Sequence, residues 1–365
     1  MKIATVINYL ESVAPPFLQE HYDNAGLIIG NVLWECTGIL ATLDSTEEVV
    51  MEAIEKGCNL IVAHHPIIFS GLKKINGKNY VERTLIRAIK NDIAIYAIHT
   101  NLDNIITGVN GIIADKLGLV NRVILQPKEN TLKKLYAFVP QRFAENVRNA
   151  IFEAGAGQIS DYSECSFNTS GKGTFKPGAG TAPFSGTIGE RHTEDEIRVE
   201  ATFPPWMERA IYDAMISAHP YEEVAYDIIA LENKNPRVGS GLMGELPQAL
   251  SENEFLNRLK MIFGLLVIRH TPLMGKLIQK IALCGGAGSF LAGTAALAGA
   301  DFYITADVKY HEFFDADKKL VLADIGHYES EQFTVEYLFD ILSKNFPTFA
   351  VQKSVVRTNP VHYFL

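Results

Sequence analysis

Apolar positions along this chain keep one rhythm at both ends and a different one in the middle. From residue 38 to 120, short aliphatic runs alternate with amphipathic stretches. GILATLD, NLIVAHH and IAIYAIHT read as strands, and STEEVVMEAIEKG, VERTLIRAIKND and GVNGIIADKLG read as helices. Continuous β-branched runs separated by helices mark parallel strands buried on both faces. Ser45 with Glu48 three residues on has the form of a capping box, and Gly118 closes the last of those helices.

Between about 131 and 233 the pattern changes. LKKLYAFVP predicts a strand, AENVRNAIFEAGAG a helix, and YSECSFNTSGKGTFKPG a polar strand running into a turn. EIRVEATFP, PWMERAIYDAMISAH and EEVAYDIIAL follow as strand, helix and strand. The order βαββαβ is the split-βαβ, ferredoxin-like arrangement. Pro204 and Pro205 stand where a helix start tolerates them. ENKNPRVGSG then reads as a linker, and the first rhythm resumes. KIALCGG, DFYITAD and KLVLADIGH are strands; SFLAGTAALAGA, KYHEFFDADKK and a long SEQFTVEYLFDILSKNF are helices; AVQKSVV is a terminal strand that closes a sheet. The prediction is an α/β fold in which two βαβ-type halves, residues 1–130 and 234–365, form one three-layer domain. A ferredoxin-like α+β domain, residues 131–233, interrupts it.

Composition narrows the picture. The chain has 365 residues, 47% hydrophobic and 21% charged, ordinary values for a globular protein of two or more domains. Its formal net charge of −9 argues against a nucleic-acid partner, which needs a basic face. Cys36, Cys58, Cys165 and Cys284 are scattered, with no C-x-x-C pair, as suits free thiols in a reducing compartment. Glu11 and Pro15 stand where a secretory signal would run apolar, so no signal peptide is expected. The most apolar stretch, Ile281 to Tyr303, is broken by glycines and reads as a core βα unit rather than a membrane span. The expected location is the cytoplasm, with no membrane partner.

Histidines carry the chemical signal. His64-His65-Pro66 follows NLIVA, His99 follows IAIYAI and leads to Asp103, and His327 follows VLADIG and precedes Glu331. Asp44 ends ILATL, and Asp307 ends FYITA. In open parallel sheets, ligands bind beyond the carboxyl ends of the strands, so these side chains should converge. Neighbours in a strand point to opposite faces, so His64 and His65 can share a site only where the chain leaves the pleat. Pro66 supports a turn there. His327 and Glu331, four apart, share one helical face. Asp103 adds a carboxylate, and Glu331 has two oxygens with which to bridge two cations. Three imidazoles and two carboxylates suit zinc, manganese or iron.

Blander readings compete with each residue. A lone histidine after a strand, such as His99 or His311, is ordinarily a satisfied polar residue. An i,i+4 His/Glu pair is common on solvated helices. Asp44 and Asp307 have the default reading of helix caps, and His219 before Pro220 that of a C-terminal cap. The glycines of Cys284-Gly285-Gly286-Ala287-Gly288 lack the lysine of a phosphate loop and serve close backbone approach instead. The conjunction of five candidate ligands at one predicted rim favours the metal reading.

Six segments now carry a resemblance: YDNAGLIIG, VAHHPIIFSGLKKI, IHTNLDN, LCGGAGSF, ITADVKYHEFFDA and DIGHYESE. In this order they resemble the NGG-interacting-factor-three-like family, whose bacterial members carry the label GTP cyclohydrolase 1 type 2 homolog. Tyr22 stands where many members have Trp, an aromatic exchange. The middle, with HPYEEVAYDI, resembles the CutA- and PII-like insertion of longer members. The resemblance implies two divalent ions per chain held by His64, His65, Asp103, His327 and Glu331. It also implies a trimer-based homohexameric ring. The leading expectation is a dinuclear hydrolase of a small or nucleotide-like substrate, acting by cyclohydrolase-type ring opening or on phosphoesters. Besides Glu331, the residues Asp44, Asp307 and His311 are candidates for support or proton transfer. The competing class is a non-enzymatic metal-binding regulatory or scaffold ring whose insertion senses a ligand.

Overall fold

The computed structural model describes residues 1–364. The chain forms two compact units: Met1–Pro127 together with the chain from Pro236 onward, and Lys128–Asn235. The first unit begins with strands Gly26–Ile29 (β1), Ile39–Thr42 (β2), Leu60–Ala63 (β3), Ala94–Ala97 (β4) and Val120–Pro127 (β5). The inserted unit holds Lys133–Pro140 (β6), Phe167–Phe175 (β7), His192–Phe203 (β8) and Tyr226–Ala230 (β9). The first unit resumes with Gly239–Ser251 (β10), Arg269–His270 (β11) and Leu277–Ala287 (β12). Phe302–Ala306 (β13), Val321–Asp324 (β14) and Val351–Lys353 (β15) complete it.

The two halves build separate sheets, ordered β1-β4-β3-β2-β15 and β11-β14-β13-β12-β10-β5. Each has a parallel core of consecutive strands, β2-β3-β4 in one and β12-β13-β14 in the other. Every residue of β2, β3, β4, β13 and β14 is buried. Burial on both faces is why these segments show no polar alternation. The C-terminal β15 adds to β2 in parallel. Among the described residues, no helix is long and apolar enough to cross a membrane. All four cysteines are free.

Several local expectations change. The helix Glu47–Glu55 is capped by Thr46, whose side chain accepts from the Val49 amide; Ser45 is buried and caps nothing. Tyr310–Ala316 is a 3₁₀ helix rather than an α-helix, ended by Asp317 and Lys318 in left-handed backbone. The long C-terminal helix is two, His327–Glu331 and Thr334–Asn345. ENKNPRVGSG is only partly a linker, because β10 begins at Gly239 and pairs with β5. Its glycines reflect crowding, not looseness. A Cβ at Gly239 would overlap the Gln126 carbonyl, and one at Gly241 would meet Leu291.

The inserted unit runs β6-helix-β7-β8-helix-β9, with the sheet order β7-β8-β6-β9 and all pairs antiparallel. That is the split-βαβ arrangement. One sheet face packs Leu135, Val139, Val199 and Ala201 against Val147, Ile151, Ile211 and Met215 of the helices Ala144–Glu153 and Glu208–Ala218.

The helix His327–Glu331 lies against the glycine-rich end of β12. Gly286 has φ +62°, and a Cβ there would overlap Glu331 Oε1. Its amide donates to Ser330 Oγ at 3.0 Å, and the Gly285 amide donates to Asn110 Oδ1 at 2.9 Å.

Two outcomes test this architecture. Gly239 pairs with Pro127 across the β5–β10 ladder, so a short hairpin turn can replace residues 128–235. The shortened chain should keep near-ultraviolet circular dichroism and one cooperative thermal transition; loss of both would make the insertion integral to the core. Gly286→Ala should lose at least about 1 kcal/mol in denaturant melts from the left-handed backbone alone. Gly293→Ala, in a helix with nothing within 4 Å of the new Cβ, should gain stability by up to about 1 kcal/mol.

Candidate metal centre

The carboxyl ends of both parallel cores feed one cluster in the first unit. His64 and His65 follow β3, and their amides donate to the carbonyls of Thr42 and Leu43 at 3.2 and 2.9 Å. The short helix Thr100–Asp103 after β4 carries Asp103. The second sheet delivers His327 and Glu331 on one helical turn after β14. Ligands from one strand rim were expected; the structure uses two rims.

Each imidazole is oriented by its Nδ1. His64 Nδ1 donates to the Ile98 carbonyl at 2.8 Å, and His65 Nδ1 to Asp44 Oδ1 at 2.8 Å. His327 Nδ1 donates to Asp307 Oδ2 at 2.7 Å, and His99 Nδ1 to Asp23 Oδ1 at 2.7 Å. Carbonyl and carboxylate oxygens only accept, so the proton is on Nδ1 and the Nε2 lone pair is free when the ring is neutral. This is the arrangement that fixes metal-ligating histidines.

The free atoms then converge. Glu331 Oε2 lies 2.9 Å from His65 Nε2 and 3.1 Å from His327 Nε2. Those two nitrogens are 3.4 Å apart. Glu331 Oε1 lies 3.9 Å from His64 Nε2, which is 3.6 Å from Asp103 Oδ1. Bonds of about 2.1 Å at tetrahedral angles put ligand atoms roughly 3.4 Å apart, and the observed spacings bracket that value. His64 Nε2, Asp103 Oδ1 and Glu331 Oε2 are buried without a hydrogen bond of acceptable geometry. Buried polar atoms are rarely left so, and an ion is one of the partners that resolves it. His64, His65 and His99 form one group able to hold a metal ion, and His65, His327 and Glu331 form a second. The donors present therefore fit divalent first-row cations.

The ionisable groups of the cluster shift one another strongly. Burial would raise the Glu331 carboxyl, but the surrounding imidazoles outweigh it and hold it well below the usual carboxylate range. Burial, then the Glu331 charge, pushes Asp103 well above that range. For His65, burial opposes protonation, yet Asp44 and Glu331 raise it to about 9. His327 behaves likewise, raised to about 11 by Asp307 and Glu331 against burial. His64, fully buried, is lowered by desolvation. Burial also pushes the Cys284 thiol up, with Asp103 and Glu331 adding to it, so it offers no thiolate.

The structure thus brings His64, His65, Asp103, His327 and Glu331 together. Asp44 and Asp307 hold histidines and cap no helix. His311 is exposed, its ring against Tyr310 and Phe314, outside either metal-competent group. His219 does end its helix, but its ring bonds the Phe138 carbonyl at 3.1 Å.

His99 and Asp23 are the residues that sequence reasoning passed over. The His99 ring centroid lies 5.3 Å from that of His64 and 5.4 Å from that of His65. Burial raises Asp23, but its bonds to His99 and Thr100 bring it down to about 2. A signal existed: Ala63 is in register with Ala97, so His65 and His99 occupy equivalent places just past two neighbouring parallel strands.

The sequence model of the Duf34/NIF3 (NGG1p interacting factor 3) family matches residues 1–360. A protein of Halalkalibacterium halodurans named GTP cyclohydrolase 1 type 2 homolog is 41% identical over 332 residues, 90% of this chain and 89% of that relative. The Bacillus subtilis protein of the same name is 39% identical over 325 residues, 88% of this chain and 87% of its own. The crystal structure of a Bacillus cereus protein related to NIF3 matches with a TM-score of 0.88 at 36% identity, covering 100% of this chain and 99% of that one. With matches over nearly its whole length, this chain belongs to the DUF34/NIF3 family.

Proposed function

We propose that this protein is a hydrolase of a small or nucleotide-like substrate that works with two divalent ions at the His64–Glu331 cluster. The supporting observation is the split of the Glu331 carboxylate, with Oε2 facing His65 and His327 and Oε1 facing His64. His65, His327 and Oε2 would hold one ion; His64, Asp103 and Oε1 would hold the other. When bound, such a pair polarises a substrate oxygen and makes water a nucleophile at neutral pH. Zinc, manganese and iron all suit this nitrogen and oxygen set.

The protein's own groups set the rest. Asp44 and Asp307 keep the imidazoles of His65 and His327 aimed inward. His99, anchored by Asp23, faces His64 and His65 and is placed to exchange a proton with water or a leaving group. The name carried by the relatives points to ring opening of a purine nucleotide, and the same site chemistry serves phosphoester hydrolysis.

Elemental analysis of metal-replete protein should give two ions per chain. Glu331→Ala should lose both, because two cations would face each other with less negative charge between them. His64→Ala should lose mainly one. One ion in the native protein, or two in Glu331→Ala, would overturn the bridging arrangement.

Metal-loaded protein should turn over at least one member of a panel of purine nucleotides and phosphoesters, and Glu331→Ala should turn over none. Asp307→Asn should lower activity or metal affinity about 10- to 100-fold, the usual cost of removing the partner of a metal-bound histidine. Full metal content with no turnover across the panel would favour a metal-binding regulatory or scaffold role instead.

A further inference from the structure

We propose that the inserted unit carries a second, separate site that binds a flat nitrogen heterocycle bearing N–H donors. A split-βαβ sheet has helices on one face only. On the opposite face a cavity of about 680 Å³ lies along β7 and β8. That size falls within the range of small-molecule sites, roughly 300–1,000 Å³.

The cavity is a built structure. Its floor is bare strand backbone at Gly171 and Gly173 of β7, beside Glu196 of β8. Phe138, Phe175 and Phe184 give it aromatic walls suited to a planar ring. The segments bearing Phe184 and Tyr221 are fastened together where Glu222 accepts from the Ala182 amide at 2.9 Å.

Glu196 has a carboxylate oxygen left to receive a ligand. Glu196 is 9% exposed, and its Oε1 accepts from the Tyr221 hydroxyl at 3.0 Å. Burial, followed by the Glu196 carboxylate, pushes the Tyr221 hydroxyl well above its usual value, so it remains a donor. Oε2 lies against Gly173, where any Cβ would collide with it. Among the described residues no protein donor bonds Oε2. Of the cations lining the cavity, Arg198 Nη2 bonds Glu200 at 2.7 Å and Lys172 bonds Asp195 at 2.9 Å, while Lys176 stands just past the end of β7. A carboxylate oxygen of this largely buried side chain, open to the cavity between aromatic walls, selects an N–H donor on a flat ring.

Gly171 makes the test clean. It stands in ordinary strand backbone, and a Cβ there meets nothing within 4 Å. Gly171→Leu should therefore fill the cavity without straining the sheet. The probe is 2-aminobenzimidazole, titrated into the full metal-loaded chain by calorimetry and saturation-transfer NMR; benzofuran, of similar shape without N–H donors, is the control. Saturable binding of 2-aminobenzimidazole, at least tenfold tighter than benzofuran, is expected. Glu196→Gln should weaken it roughly 10- to 100-fold, as for loss of a hydrogen bond to a charged group. Gly171→Leu should abolish it while metal content and thermal transition stay unchanged, which places the probe here and not at the metal centre. Tyr221→Phe, which frees Glu196 without filling space, should weaken binding less than Glu196→Gln and serves if the leucine variant misfolds. Absent binding, equal binding of benzofuran, or binding that survives Glu196→Gln would overturn the proposal. So would a leucine variant that binds normally but sediments differently, since the face would then serve another copy of this chain.

Discussion

The first unit depends on one buried carboxylate. Glu331 is 3% exposed, and an isolated carboxylate at that depth would cost several kcal/mol. Its neighbours are therefore imidazoles brought from both sheets, with His64 and His65 from the first and His327 from its own helix. The backbone has adapted to the same group, since Gly286 leaves a place that Glu331 Oε1 fills. A side chain at position 286, or a shift of either sheet, would break the arrangement of charges before it broke any apolar contact.

Around this carboxylate the structure is layered. Asp44, Asp307 and Asp23 each hold one imidazole, and further groups hold some of those carboxylates in turn. The Thr358 hydroxyl donates to Asp44 Oδ2, and the Thr100 amide donates to Asp23 Oδ2 at 3.0 Å. The segment after β15 runs back through these contacts. Ser354 and Val355 bond Glu52, Thr358 reaches the partner of His65, and Asn359 donates to the buried Glu329 at 2.9 Å. The end of the chain thus helps to set the orientation of a histidine near its beginning, and exposed-looking polar residues there bear on the site's geometry.

The insertion is accommodated by strand pairing. It leaves and re-enters between β5 and β10, whose ends face each other in one ladder. A domain placed at a hairpin needs no gap in the sheet that hosts it. Its own core is complete on one face of its sheet, which frees the other face for the cavity.

Much of this was legible in the residue pattern. Period and run length identified the doubly buried strands, the βαββαβ insertion, and the His327/Glu331 turn, because local backbone geometry fixes which side chains share a face. The five candidate ligands were readable as polar residues at strand ends, where α/β sheets place their sites. Sequence could not show that the two halves form two sheets, since strand order within a sheet depends on pairing between distant segments. Nor could it lift His99 above an ordinary polar histidine. Its partner Asp23 is 76 residues away, and only parallel pairing of β3 with β4 sets its ring beside His64 and His65. Asp44 and Asp307 read locally as helix caps for the same reason. A carboxylate's role is decided by what folds against it: the caps went to other residues, and the tertiary structure gave these two carboxylates to histidines.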